Sequence, residues 1–144
     1  WMGEIQSLTM DEKCADRPHG GATCTRFDYT YDGGWVGVAW QSPAQDWGDL
    51  PGGYDLTGAK RLTFWARGER GGERVKFGFG LLGPEKKYAD SARGETEVTL
   101  TREWKEYSIG LGRKSLRRIK TGFLWTLAGQ GRPVTFYLDD VRYE

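Results

Sequence analysis

In this 144-residue chain, the side chains whose types and spacing bear on chemistry are one histidine, two cysteines, an Asp-Asp pair and seven tryptophans. His19 stands in a Pro-His-Gly-Gly turn, and no G-x-S-x-G elbow occurs anywhere, so a Ser-His-Asp nucleophile has no home. Gly78-Phe-Gly-Leu-Leu-Gly83 has G-x-G-x-x-G spacing. It ends a strand pattern and opens no helix, so it carries no dinucleotide signal. Glycosidic hydrolysis needs two carboxylates about 5 to 10 Å apart across a cleft. The strand patterns at 35–41, 60–67 and 74–80 hold no acid apart from the flanking Glu73, leaving Asp46, Asp49 and Asp90 as loop candidates. Cys14 and Cys24 bracket Arg17-Pro-His-Gly-Gly21, a turn that brings their ends together for a disulfide. Such a bond implies an extracellular setting, whereas a zinc site would need more ligands than these two thiols and His19. Asp139-Asp140 interrupts an apolar strand, Phe136 to Val141. A carboxylate there needs a partner: calcium, or an N–H, Arg142 or Lys60.

The tryptophans gain meaning from period-two alternation. In 35–41, Val36, Val38 and Trp40 suit a core, and Trp35, Gly37, Ala39 and Gln41 face outward. In 60–67, Leu62, Phe64 and Ala66 suit the core, and Thr63, Trp65 and Arg67 face outward. In 74–80, Val75, Phe77 and Phe79 suit the core, and Lys76, Gly78 and Gly80 face outward. If these strands are neighbours, tiny residues edged by indoles form a shallow trough. There Trp35 and Trp65 would stack on sugar rings, and Arg67, Lys76 and Gln41 would hydrogen-bond hydroxyls, as small-molecule sites pair aromatic walls with few polar groups. Trp47, from the long irregular stretch 42–58, would close one wall. Trp125 shares a side with Ile119, Phe123 and Leu127, and parity leaves it either core or platform.

The elements that must position these residues are short strands near 4–10, 24–31, 35–41, 60–67, 74–82, 95–101, 105–111, 119–127 and 134–143. Glycine-rich turns separate them, and no stretch has helical periodicity. The pattern predicts an all-β, two-sheet antiparallel β-sandwich of jelly-roll type in a single domain, 1–144. Twenty-one basic and 20 acidic residues leave a net charge of +1, which argues against a nucleic-acid binder. No apolar run reaches the roughly 18 residues of a membrane-spanning helix. The chain opens Trp-Met-Gly-Glu with no secretion signal, as expected of a mature protein or an excised domain.

Three segments carry a resemblance: Gly53-Tyr-Asp-Leu-Thr-Gly-Ala-Lys-Arg-Leu-Thr-Phe-Trp-Ala-Arg67, Leu100-Thr-Arg-Glu-Trp-Lys-Glu-Tyr-Ser-Ile109 and Thr135-Phe-Tyr-Leu-Asp-Asp-Val141. Over residues 25–144 the chain resembles galactose-binding-like jelly-roll domains, in particular non-catalytic carbohydrate-binding modules. The resemblance implies a structural calcium near the chain ends, with Asp139 as ligand and Glu4 or Asp11 joining it. It also implies a sugar site on the concave sheet face or in the edge loops. The expectation is therefore a non-catalytic extracellular module that binds a polysaccharide and works beside other domains of a larger protein. An adhesive surface using the same face for protein contact is the alternative, and a jelly-roll glycan hydrolase or lyase comes third.

Overall fold

The computed structural model describes residues 1–144. Ten strands form two five-stranded antiparallel sheets packed face to face. In the first sheet β1 (Met2–Gly3) pairs with β4 (Trp35–Gln41), followed by β9 (Thr121–Ala128), β6 (Arg74–Phe79) and β7 (Gly94–Thr99). In the second, β2 (Leu8–Cys14) pairs with β3 (Cys24–Tyr29), followed by β10 (Val134–Tyr143), β5 (Arg61–Gly68) and β8 (Lys105–Gly110). The all-β two-sheet architecture is the one that the alternation predicts. Strand 4–10 is the exception: β1 ends at Gly3, a 3-10 turn takes Ile5–Ser7, and β2 begins at Leu8 in the other sheet. Gly3 turns the chain at φ 76°, and an added Cβ would meet the Trp35 carbonyl oxygen.

The inner faces follow the alternation. Val36, Val38, Leu62, Phe64, Ala66, Val75, Phe77 and Phe79 are all buried. Phe27, Phe64 and Phe136 from one sheet interlock with Phe77, Phe123 and Trp125 from the other, at ring separations such as 4.5 Å for Phe64–Phe77 and 4.8 Å for Phe27–Trp125. Aromatic pairs of this kind add about 0.5 to 1.5 kcal/mol each beyond area burial. Trp125 is 0% exposed and belongs to this core, which removes it as a platform.

The strand neighbourhood differs from the expected one. β5 lies in the sheet opposite β4 and β6, and β9 runs between β4 and β6. Alternation fixes which side of a strand is apolar but not which strands are adjacent, because adjacency depends on connections between distant segments. Trp65 and Arg67 therefore face out from the opposite side of the sandwich.

On that opposite face, residues 15–23 form a strap folded against the sheet. The His19 ring stacks on Trp65 at 3.7 Å and 16°. The Trp104 Nε1–H donates to the Arg17 carbonyl at 2.7 Å. Arg67 is 1% exposed, with its guanidinium 3.7 Å over the Tyr137 ring and donating to the Asp16 carbonyl at 2.9 Å. Burial, and a hydrogen bond to Glu69, push the Tyr137 phenol well above its usual range. Tyr137 and Trp104 form a small second core with Cys14 and Cys24, which stand opposite each other in the β2–β3 ladder as buried free thiols. Burial, with the neighbouring Cys14 thiol, pushes Cys24 up to about 12.

The Asp139-Asp140 pair sits in a bulge of β10, with Asp140 in the left-handed region at φ 51°. The Asp139 carboxylate accepts the His19 and Gly20 N–H groups at 3.1 Å each and the Asp140 N–H at 2.9 Å. Asp140 lies 2.7 Å from His19 Nδ1. The partners of the interrupting carboxylates are thus the strap and, for Asp140, the Arg142 guanidinium at 3.8 Å. The residues do not fit the calcium site the resemblance implies, because Asp139, Glu4 and Asp11 do not converge. Glu4 accepts from Gln6, Asp11 accepts the Lys13 N–H, and no three His, Cys, Asp or Glu side chains come together in a metal-binding group.

Candidate functional site

Two hollows border the first sheet, one on its outer face and one at its β4 edge. Gly37, Ala39, Gly78 and Leu124 lie between them, with Gly37 opposite Thr126 on β9 and Ala39 and Gly78 both opposite Leu124. The glycines are small for a reason other than ligand clearance. A Cβ at Gly37 would come within 2.8 Å of Thr126 Cγ2 and the Trp125 carbonyl, and one at Gly78 within 2.6 Å of the Gly94 carbonyl. Tight strand approach demands them. At Gly122 the space is open, with nothing within 4 Å of an added Cβ.

The first hollow, about 520 Å³, lies at one end of this floor and is lined by Trp35, Arg74, Lys76, Glu97, Thr126 and Gln130 among others. Trp35 is 48% exposed at the start of β4. Lys76 lies 3.9 Å from Glu95, so cations from β6 face carboxylates from β7. Gln130 is locked by two bonds to the backbone of Arg74, at 2.9 and 3.1 Å.

The second is a groove of about 1010 Å³ at the other end of β4, where it opens between the two sheets and is lined also by Met10, Thr25, Leu138 and Asp139 of the second sheet. Ala39, Gln41 and Gly122 border it from the sheet, and Trp47 and Tyr54 from the loop between β4 and β5. Its deeper wall is Trp40, Phe123 and Tyr143. Tyr54 is 57% exposed, and its backbone pairs with Ile119 as an isolated bridge. The Gln41 Nε2 amide is buried with no acceptor in the protein. Burial and the nearby Asp90 push the Tyr143 phenol up, and its hydroxyl donates to the Gly122 carbonyl at 2.6 Å.

Of the residues expected to bind, Trp35 and Lys76 line the first hollow and Gln41 and Trp47 the second. Trp65 and Arg67 line neither: they are tied into the strap contacts on the far side. Trp125 lies beneath the floor. Sequence reasoning missed Arg74, Thr126, Gln130, Tyr54 and the β7 glutamates Glu95 and Glu97. The alternating Gly94-Glu-Thr-Glu-Val-Thr99 carried a signal for the last two, since it places both carboxylates on one face.

What this face can do is bind an extended, uncharged, ring-containing polymer. Seven residues of β4 span about 20 Å at about 3.3 Å per residue. An aromatic ring at each end offers a flat apolar surface, and arginine, lysine, glutamine and glutamate supply donors and acceptors. At the first hollow the charges of Arg74 and Lys76 are opposed by those of Glu95 and Glu97.

Comparison with known proteins agrees with this geometry. The model of the family described as carbohydrate binding domain 30 matches residues 3–144. A family 11 carbohydrate-binding module from Clostridium thermocellum, solved in complex with a β-1,3-1,4-mixed-linked tetrasaccharide, superposes with a TM-score of 0.62 at 12% identity, covering 94% of this chain and 81% of its own. The family 30 module of a cellulosomal cellulase of Clostridium thermocellum superposes with a TM-score of 0.61 at 19% identity, covering 96% of this chain and 82% of its own. No curated protein matches the chain by sequence.

Proposed function

This chain belongs to carbohydrate binding domain family 30, a non-catalytic carbohydrate-binding module, and we propose that it binds a neutral linear polysaccharide, a β-glucan first among them, along the outer face of β4, β9 and β6. The observation that carries the reading is the exposed Trp35 in the hollow at one end of β4 with Trp47 and Tyr54 in the groove at the other. Between them Gly37, Ala39, Gly78 and Leu124 carry no charge, and polar groups stand at the borders. A mixed-linkage β-glucan is the first ligand to try, because the family 11 neighbour holds such a tetrasaccharide.

The setting we propose is extracellular, beside other domains of a larger chain. The opposed cysteines support it: an oxidant such as glutathione disulfide would take two electrons and two protons from Cys14 and Cys24 as their S–S bond forms.

Affinity electrophoresis against glucans, xylans, mannans and galactans tests the binding reading. Retardation by a β-glucan, lost in the Trp35→Ala/Tyr54→Ala double variant, is the expected result. Unchanged mobility of the native protein in every gel overturns it.

A further inference from the structure

The wall that carries Trp47 is a long loop, and a loop of that length without regular structure has no internal reason to hold a side chain still. Here it is nailed down by a charge pair. Lys120, at the entrance to β9, is 0% exposed, and Asp46 in the loop is 5% exposed. The Lys120 ammonium donates to the Asp46 carboxylate and to the Leu50 carbonyl, and lies 5.6 Å from the centre of the Tyr88 ring. Asp46 in turn accepts the N–H groups of Gly48 at 3.3 Å, Asp49 at 3.1 Å and Leu50 at 3.1 Å. The lysine hydrogen bond, reinforced by these backbone donors, holds the Asp46 carboxyl below the usual carboxylate range. Trp47 is therefore flanked by Asp46 and Gly48, the first of them fixed from beneath by a residue of the sheet.

A second carboxylate does the same from the other side. Asp90 accepts the Lys120 and Thr121 N–H groups through one oxygen and those of Leu81 and Leu82 through the other. The loop after β6 also meets the Trp47 loop, through the Tyr88 N–H to the Gly48 carbonyl at 3.0 Å and through Lys86, whose side chain packs against Gly48. Desolvating a lysine and a carboxylate costs free energy that a hydrophobic pair would not, so an ion pair here is weak evidence for stability alone. What it supplies is geometry. A buried, hydrogen-bonded charge can be satisfied in only one arrangement of the loop.

We infer that Lys120, through Asp46, is a positioning residue for glycan binding: it fixes the loop 46–50 so that Trp47 forms a rigid wall of the groove. The side chain of Lys120 touches no ligand in this arrangement. Rigidity at the wall lowers the ordering cost of binding, which is how preorganised loops raise affinity.

The affinity part of the test rests on the binding role proposed for this face, and a second readout separates the two. Lys120→Met alone strands a buried carboxylate and can unfold the chain. Asp46→Asn/Lys120→Met removes both charges while leaving an amide oxygen for the backbone donors. In that double variant, calorimetric affinity for mixed-linkage β-glucan should fall about five- to tenfold, the scale of one aromatic contact. Trp47→Ala should weaken the native protein by a similar factor and add little to the double variant, since the wall is already lost. Acrylamide quenching of Trp47, taken as the difference between each protein and its Trp47→Phe form, should rise in the double variant. Equal affinity of native and double variant, or an undiminished Trp47→Ala effect in the double variant, overturns the inference. A native protein that binds no glycan sinks the binding role instead. Quenching then decides alone: an increase supports the anchor, and no change overturns it.

Discussion

Truncating Trp35 to alanine is the cleanest perturbation of the proposed binding face. The ring is 48% exposed. Tryptophan buries about 150 to 250 Å² when fully covered, so about 100 Å² remains open here. A sugar ring lying on one face would cover about half of that, ~50 Å². At about 25 cal/mol per Å², this is worth about 1.2 kcal/mol, or close to eightfold in Kd. Folding should hardly notice: an exposed substitution outside the core costs within about 0.5 kcal/mol. The assay is isothermal titration with mixed-linkage β-glucan, paired with a thermal melt of the same preparation. A Kd within twofold of the native value, with the melt unchanged, would refute the reasoning, because the ring would then contribute no surface to the ligand. Trp65→Ala supplies the contrast: its ring lies under His19 on the opposite sheet, so stability should fall while glucan affinity stays the same.

Oxidation of Cys14 and Cys24 closes a short loop and should stabilise the chain by about 3 kcal/mol through the unfolded state, a gain on the order of 10 °C in Tm over the reduced protein; equal melts of the two forms would count against it. Asp139→Ala leaves the His19 and Gly20 N–H groups without their acceptor, and should loosen the strap enough to expose Trp65 to quencher. Because that carboxylate already serves three N–H donors, adding calcium or EDTA should leave the Tm unchanged, as a melt in each buffer will read. Acid sensitivity follows from the carboxylates held below their ordinary range. Asp28 is one: burial pushes it up, but hydrogen bonds from Arg26 and Thr135 outweigh that; Asp46, beside Lys120, and Asp55, hydrogen-bonded by Thr57, are the others. A carboxyl lowered in the folded state adds stability that is complete above about pH 4 and is lost as pH falls through the folded value. Denaturant midpoints should therefore stay level near neutrality and drop below about pH 4, less steeply for Asp28→Asn.

The sequence by itself determined the sandwich, most strand positions and, for the strands at 35–41, 60–67 and 74–80, the side that turns inward. These are local properties: period-two alternation, β-branched and aromatic content, and glycine-rich breaks act over a few residues each. It also singled out Trp35, Lys76 and Gln41, because an outward indole, amine or amide on an otherwise apolar strand is visible without neighbours, and Trp47, because it stands in a long irregular loop. Only the tertiary structure decided which strands lie side by side. That choice put Trp65 and Arg67 on the far sheet and brought Thr126 of β9 between Trp35 and Lys76. It also sealed Trp125 inside and gave Asp139 to a strap more than a hundred residues away in sequence. Two faces of a strand are set by stereochemistry that each residue carries with it. Sheet order and the partner of a buried charge arise from contacts between segments far apart along the chain, and no periodicity records them.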